Sequence, residues 1–516
     1  MYIEPNTNIR ILKDVPLDTT YDHTIYFSSA TAQTNYFAGL TKYNLNNQTY
    51  QRVKRGYARV QRKAEDLYDC NYMMFQNSAY GNKWFYAFIT SVEYVNNVTS
   101  EITFEIDDIQ TWFFDFTLDQ CFVEREHTIT DNIGEHIEAE SVEMGEYVFN
   151  DYKPIINMKD MCVCVAIVDT SEITDGTLYD GIYGSAQLWV YDSTDVQGIN
   201  DKVNEYVKKQ RPDAILCMYM FPRIFINEIP ETHRLPYGES AIRKVVSIPA
   251  ITENDTLDGY KPKNKKLYTY PYNFYHVDNA SGNDLTLRYE FFDGNQPVVE
   301  ISGVVTQPVM AILRPCSYKG VPGYTELGGY TTLNTESIQL NNYPLCSWNV
   351  DAYQAWVAQN SIPLALNSVA GLATFAGLLE AGVPITTGVG GVENILTQFY
   401  KASIAADISK GNLNNGGTNV ANNKQQFYGG RCSVCREYAV IIDDFFSKYG
   451  YGVKRLKTPN THSRPHWNYV KTIDCTATGS IPSDSMNHIC EIHNKGITYW
   501  KNGNEVGNYS LDNSPI

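Results

Sequence analysis

Through the first third of the chain, apolar and polar positions alternate with a period of two. Residues 83–94 (KWFYAFITSVEY) and 101–118 (EITFEIDDIQTWFFDFTL) read as strands on either side of Asn96-Asn97-Val98-Thr99-Ser100, a cluster with turn character. In the second of these, Ile102, Phe104 and Ile106 alternate with polar residues, the mark of one buried face. Residues 267–277 (LYTYPYNFYHV) form an aromatic strand in which Pro271 calls for a bulge or an edge position, because proline brings no N–H to a ladder. Residues 285–292 and 298–305 flank Asp293-Gly294-Asn295, which predicts a hairpin.

Helical spacing is scarcer. Ile199, Val203, Tyr206 and Val207 fall on one face of an amphipathic helix, and Val350, Tyr353, Trp356 and Val357 do the same over 349–359. Val392, Ile395, Leu396 and Phe399 repeat at i, i+3, i+4 and i+7 in a further helix that ends near Gly411. Residues 411–424 (GNLNNGGTNVANNK) have the Asn- and Gly-rich composition of a flexible linker. The C-terminal region returns to strand-like patterning with glycine-containing turns. The fold class is therefore mainly β, multidomain, with a helical apolar insertion. The expected division is 1–125 as the first part of a β-rich domain and 126–260 as an accessory α+β region. The second β-rich part is 261–348, the apolar loop with its linker is 349–424, and a C-terminal β-rich region is 425–516.

One stretch breaks the polar pattern. Between positions 362 and 392 the chain reads IPLALNSVAGLATFAGLLEAGVPITTGVGGV, and its only charged residue is Glu380. Such a segment belongs in the protein's own core, against partner subunits, or in a lipid bilayer. A single membrane-spanning anchor is disfavoured, since 364–379 as helix reaches about 24 Å against a hydrocarbon thickness of about 30 Å. Pro384 and the glycines at 388, 390 and 391 would break a longer span. Two readings remain: a buried helical hairpin, or two short arms folding about residues 380–384 and entering lipid conditionally. For the second, Ala370, Gly371, Thr374 and Gly377 are small enough for helices to approach closely in lipid. The side chains expected to meet the membrane are Ile362, Leu364, Leu366, Val369, Leu372, Phe375, Leu378, Leu379, Val383, Ile385, Val389, Val392, Ile395, Leu396 and Phe399.

The chain's 516 residues suffice for several cores, and 58 Asp and Glu against 41 Lys and Arg leave a formal charge of −17. That balance disfavours a grip on phosphate backbones through a large basic patch. Basic residues cluster only locally, at Arg52, Lys54, Arg55, Arg59, Arg62 and Lys63, and again at Lys261, Lys263, Lys265 and Lys266. Solvated loops or inter-subunit ion pairs account for them, with guidance of passing DNA as the alternative. The N-terminal sequence MYIEPNTNIRILKDVPL has no apolar core of signal-peptide length, and the 11 cysteines have no regular spacing, so synthesis in a reducing cytoplasm with free thiols is expected.

Motifs for chemistry are sparse. Cys432 and Cys435 form a Cys-x-x-Cys, but His462, His466, Cys475, Cys490 and His493 do not complete a standard zinc spacing, and no metal or cofactor is expected. The acidic pairs Glu124/Glu126, Asp107/Asp108 and Asp443/Asp444 are compatible with glycosidase carboxylates, but their sequence spacing sets no carboxyl separation. Phosphate-loop, zincin and serine-hydrolase signatures are missing, and no enzyme activity is expected.

Several stretches together resemble a known family. These are 71–107 (NYMMFQNSAYGNKWFYAFITSVEYVNNVTSEITFEID), 110–126 (QTWFFDFTLDQCFVERE), 261–274 (KPKNKKLYTYPYNF), 449–460 (YGYGVKRLKTPN), 467–474 (WNYVKTID) and the closing run GNYSLDNSPI. They are similar to the tail knob, or distal tail tube, proteins of small short-tailed bacteriophages with protein-primed genomes, and they span the chain in order. The resemblance implies a β-rich, tube-forming subunit of a virion tail tip that assembles as a hexamer. It also implies a lumen for double-stranded DNA, other tail and collar proteins as neighbours, and an apolar loop that reaches the host cytoplasmic membrane. That loop maps onto 362 to about 410 by position and composition. A receptor-binding adhesin and a cell-wall-degrading tail component are the competing readings.

Overall fold

The computed structural model describes residues 6–48, 56–169, 178–179, 182–183, 186–209, 211, 214–236, 242–294, 296–319, 336–341, 343, 345–347 and 426–515. It is mostly β and divides into two compact units that interleave along the chain. The first comprises Met1–Tyr147, Glu253–Tyr272 and Val434–Ile516, and the second Val148–Thr252 and Asn273–Ser433.

Among the described residues, the first unit holds two larger sheets and one two-stranded pair. One is six-stranded and antiparallel, in the order Thr41–Gln48, Thr7–Lys13, Cys70–Gln76, Trp84–Asn96, Thr99–Ile106, Tyr57–Val60. Both faces of its centre are buried. In Cys70–Gln76, Tyr72 and Met74 enter one cluster with Phe37, Tyr86 and Phe88, while Met73 enters another with Ile9, Ile11 and Ile102. The aromatic richness of this stretch follows from that, because a strand packed on two sides replaces polar alternation with large side chains on both. The second sheet runs His23–Ile25, Ile497–Trp500, Trp467–Ile473, Cys121–Glu126, Tyr451–Lys457, with only the first pair parallel.

The hairpin expected around Asn96–Ser100 forms, with Asn96 opposite Thr99. The strand expected over 101–118 does not continue. It ends at Ile106 because the Asp107 side chain accepts from the Gln110 N–H at 3.0 Å and starts the short helix Asp108–Trp112. Phe116–Leu118 is a separate strand that pairs with Ala477–Gly479. A helix, Ala30–Gly39, also interrupts the strand-rich N-terminal third, capped by Ser29. The C-terminal region departs furthest from expectation, since two helices, Arg436–Tyr449 and Ser483–Lys495, alternate with its strands. Their inward residues, Ala439, Ile442 and Phe446 in one and Ile489, Ile492 and His493 in the other, carry helical spacing.

The second unit contains two four-stranded sheets, ordered Gln187–Asp192, Met161–Ile167, Ile215–Pro222, Leu345–Ser347 and Arg243–Ser247, Val298–Val304, Met310–Cys316, Ile338–Leu340. A further sheet includes Tyr428–Val434, Asn273–Asp278 and Asp284–Leu287. Every residue of Met161–Ile167 is buried, Cys162 and Cys164 included. The predicted amphipathic helix is Val196–Lys208, with Ile199 and Tyr206 buried and Val203 packed against the same cluster.

Two strand expectations are corrected here. The 267–277 segment divides into a 3-10 turn, Lys265–Tyr268, and the strand Asn273–Asp278, with Pro271 in the connection where no ladder donor is needed. The hairpin expected about Asp293-Gly294-Asn295 is replaced by different pairings. Asp284–Leu287 pairs back onto Asn273–Asp278, and Val298–Val304 lies between Arg243–Ser247 and Met310–Cys316. The competing turn is at 279–283, where the Asn279 side-chain oxygen accepts from the backbone N–H of both Ser281 and Asn283. Among the described residues, no helix is long and apolar enough to cross a membrane.

Candidate functional site

Five of the six stretches that carry the resemblance reach a single buried polar hub in the first unit. Its centre is Asp443, fully buried on the helix Arg436–Tyr449. One carboxylate oxygen accepts from the Tyr260 hydroxyl and the Lys263 N–H, both at 2.7 Å; the other accepts from the Asn264 N–H at 3.0 Å and the Asn264 amide at 2.7 Å. The carboxylate thus ties the 261–274 stretch to the helix with four donors, the arrangement that keeps a buried charge tolerable.

A second carboxylate, Glu140, joins the 449–460 stretch. It accepts from the Lys266 ammonium at 2.7 Å and the Gly452 N–H at 2.6 Å, and pairs with Arg125. The Lys266 and Glu140 side chains are each only 2% exposed. Burial alone would raise the Glu140 pKa, but Lys266 and Arg125 outweigh it and hold the group below the usual carboxylate range. Tyr451 donates to Asp131 at 2.7 Å. Burial pushes the Asp131 pKa upward in spite of that bond.

His127 sits where the 110–126 and 467–474 stretches meet. Its Nδ1 accepts from the Tyr469 N–H at 2.8 Å, which fixes the proton on Nε2, and Nε2–H donates to the Ser447 carbonyl at 3.1 Å. Burial lowers its pKa to about 3. Next to it, Glu126 pairs with Lys457 and accepts from the Asn460 N–H at 2.8 Å. Gly450 ends the Arg436–Tyr449 helix at φ 65, and a Cβ there would collide with the Glu126 carbonyl, so only glycine fits.

The closing run seals this assembly. Asn513 accepts from the His466 and Trp467 N–H groups at 3.1 and 3.2 Å and donates to the Trp467 carbonyl at 2.8 Å. Tyr509 packs edge-on against Trp467. The cleft among these residues has a volume of about 30 Å³, lined by His127, Asp131, Lys263, Arg464, Trp467 and Asp512 among others, which is room for about two waters.

The acidic pairs named from sequence resolve into structural roles. Asp443 and Glu126 are saturated by protein donors as above, and Asp444 is exposed. Glu124 pairs with Lys471 at 2.9 Å. Asp107, besides capping its helix, accepts from the Tyr72 hydroxyl at 2.8 Å, and burial lifts its pKa to about 7. A folded pKa above the unfolded value near 4 means that the stabilisation is fully present below about pH 4 and is lost as pH rises through about 7. Asp107→Asn, which keeps an acceptor for Gln110, should therefore improve relative to wild type by about 2 kcal/mol between pH 5 and pH 8. Urea titrations at the two pH values check this, and an unchanged difference would refute it.

The basic clusters also take definite places. Lys266 is a buried intramolecular partner of Glu140 and not a solvated loop residue; Lys265 pairs with Glu253 at 3.3 Å. Arg59 pairs with Glu101 at 2.7 Å, and Arg62 lies over the Tyr43 ring. Arg52, Lys54 and Arg55 lie outside the described residues, as does the whole of 349–424 with every side chain from Ile362 to Phe399 expected to meet a membrane. Among the described residues, no three His, Cys, Asp or Glu side chains are grouped to hold a metal; Cys432 is buried on its strand and Cys435 precedes the Arg436–Tyr449 helix. Sequence reasoning passed over Glu140, Asp131, His127, Asn264 and Asn513. Asn264 and Asn513 lie in the resembling stretches and His127 directly follows one, whereas Asp131 and Glu140 carry no such local signal.

Comparison with known proteins agrees with this convergence. Residues 242–514 match the C-terminal domain family of the Bacillus phage phi29 tail knob protein gp9, and residues 5–117 match the N-terminal region of caudoviral major tail proteins. The tail knob proteins gp9 of Bacillus phages PZA, phi29 and B103 are each 26% identical to the chain, over 98% of both sequences. The solved bacteriophage C1 tail knob protein gp12 shares the fold, with a TM-score of 0.64 at 14% identity over 98% of this chain and 99% of that one. The chain belongs to the phi29 gp9 family of tail knob proteins, structural components of the virion at the tail of short-tailed phages.

Proposed function

We propose that this subunit assembles with copies of itself, as a hexamer, into the distal tube of the tail. Double-stranded DNA leaves through the tube, and the apolar segment from 362 to about 410 enters the host cytoplasmic membrane. The observation that carries the reading is a run of 31 positions, 362–392, with one charge, in a chain whose charged share is 19%. Family membership and the attachment points support it. Along the chain the segment follows Leu345–Ser347, which pairs with Ile215–Pro222, and precedes Tyr428–Val434, which pairs with Asn273–Asp278.

An apolar patch of that size exposed on a soluble particle would aggregate, so neighbouring copies shield it until lipid is reached. Burial in hydrocarbon at about 25 cal/mol per Å² then favours the extruded arms. Glu380 faces water within the assembly. The formal charge of −17 per copy serves the conduit, because carboxylates along a lumen repel phosphates and let DNA slide.

Purified protein should form six-fold rings by negative stain and release dye from liposomes. A 363–408 deletion should keep the rings and lose the leakage. Equal leakage by the deletion would defeat the membrane role, and monomers at assembly concentrations would defeat the conduit. Loss of folding in the deletion would instead place the segment in the subunit's own core.

A further inference from the structure

Three thiols meet at one end of the five-stranded sheet of the first unit. Cys121 opens the strand Cys121–Glu126, whose Phe122 lies opposite Ile473, and Cys475 follows two positions beyond Ile473. The two chains stay together past the ladder, since the Asp119 N–H donates to the Thr476 carbonyl at 2.9 Å. The helix Ser483–Lys495 brings the third. Asn494 accepts from the Cys475 N–H at 3.0 Å and from the Thr472 hydroxyl at 2.9 Å. Cys490 is one turn earlier, on the same helix face as Asn494. The Cys475 side chain interacts with those of both Cys490 and Cys121. Cys475 and Cys121 are 9% and 4% exposed, Cys490 is half-buried, and all three are unbridged.

We propose that Cys475 and Cys490 form a redox modification site, oxidised to a disulfide by low-molecular-weight disulfides once the virion leaves the reducing host cytoplasm. A virion component passes between these two redox environments by the nature of its cycle. The more open Cys490 reacts first. Its thiolate attacks a sulfur of the reagent RS–SR, the reagent's S–S bond breaks, and RS⁻ leaves. The Cys475 thiolate then attacks the Cys490 sulfur of the mixed disulfide and expels the second RS⁻. Two electrons pass from the cysteine sulfurs to the reagent, and the two thiol protons end on the released RSH molecules. Burial raises the pKa of both thiols, so the reaction is slow at neutral pH and accelerates about tenfold per pH unit below those values. The product staples the helix to the sheet end after folding is complete, and Cys121 remains a thiol.

Incubation of the full chain with oxidised glutathione at pH 8, followed by intact mass and peptide mapping, tests the assignment. The expected product is lighter by two hydrogens, carries a 475–490 linked peptide pair, melts several degrees higher and reverts with dithiothreitol. Cys121→Ser should still form the link; Cys490→Ser, at a half-buried position that tolerates serine, should not. An unchanged mass, a bridge through Cys121, or a persistent glutathione adduct on Cys490 would each overturn it.

Discussion

Asp443→Ala should lower the unfolding free energy of the subunit by about 4 kcal/mol, because it removes the one buried acceptor on which four donors converge. The Tyr260 hydroxyl, the Lys263 and Asn264 N–H groups and the Asn264 amide all converge on that one carboxylate, which is itself fully buried. Asp443→Asn, which keeps one acceptor oxygen and presents an amide to the other donors, should lose roughly half as much. Chemical denaturation of both variants measures the difference. A loss below about 1 kcal/mol for the alanine variant would mean that the hub re-forms around water and does not hold the segments together.

Acidification from pH 7 to pH 4 should destabilise the first unit through His127 and His493, a loss that protonation of Asp107 over the same range offsets in part. Both histidines are buried and neutral, with burial lowering their pKa values to about 3 and about 4. The Nδ1 of His127 already receives the Tyr469 N–H, so a proton there would set two donors against each other. A histidine with a folded pKa below its unfolded value of about 6.5 contributes stability that is intact above pH 6.5 and drains as pH falls toward the folded value. Down to pH 4 this is on the order of 3 kcal/mol for each ring. Glu140, held below its ordinary range, adds a loss that begins near its unfolded value of about 4.3 and continues as pH falls through the folded one. His127→Asn keeps an acceptor for Tyr469 but cannot titrate. It should be weaker than wild type at pH 7 and show a visibly flatter dependence between pH 6.5 and 4. Parallel pH slopes for the two proteins would rule out His127 as a source of the acid lability.

The family's stretches were legible in the linear chain, but their purpose was not. Residues 261–274 look like a lysine-rich surface loop when read alone, yet Lys266 is as buried as a core leucine because the Glu140 carboxylate and the Glu138 carbonyl meet it there. The nearest of these partners is 126 positions away, far beyond any window in which periodicity operates. The two C-terminal helices were missed for a different reason. Their apolar stripes are short and interrupted by charges such as Asp443 and Glu491, and one of those charges turns out to face inward.

Sequence alone determined what depends on neighbours along the chain. That includes the period-two strands of the N-terminal third, the amphipathic helix at Val196–Lys208, the apolar segment with its single charge, and the family. Tertiary structure alone decided which strands pair and which charges are buried. Asp284–Leu287 turned back onto Asn273–Asp278 through 279–283, where the Asn279 side chain accepts from two backbone N–H groups of the loop. Asp443, Glu140 and His127 acquired their states only when distant donors closed around them. Local pattern follows from backbone geometry and the wetness of one face. Partner choice and charge state follow from desolvation, which does not exist until the chain has folded.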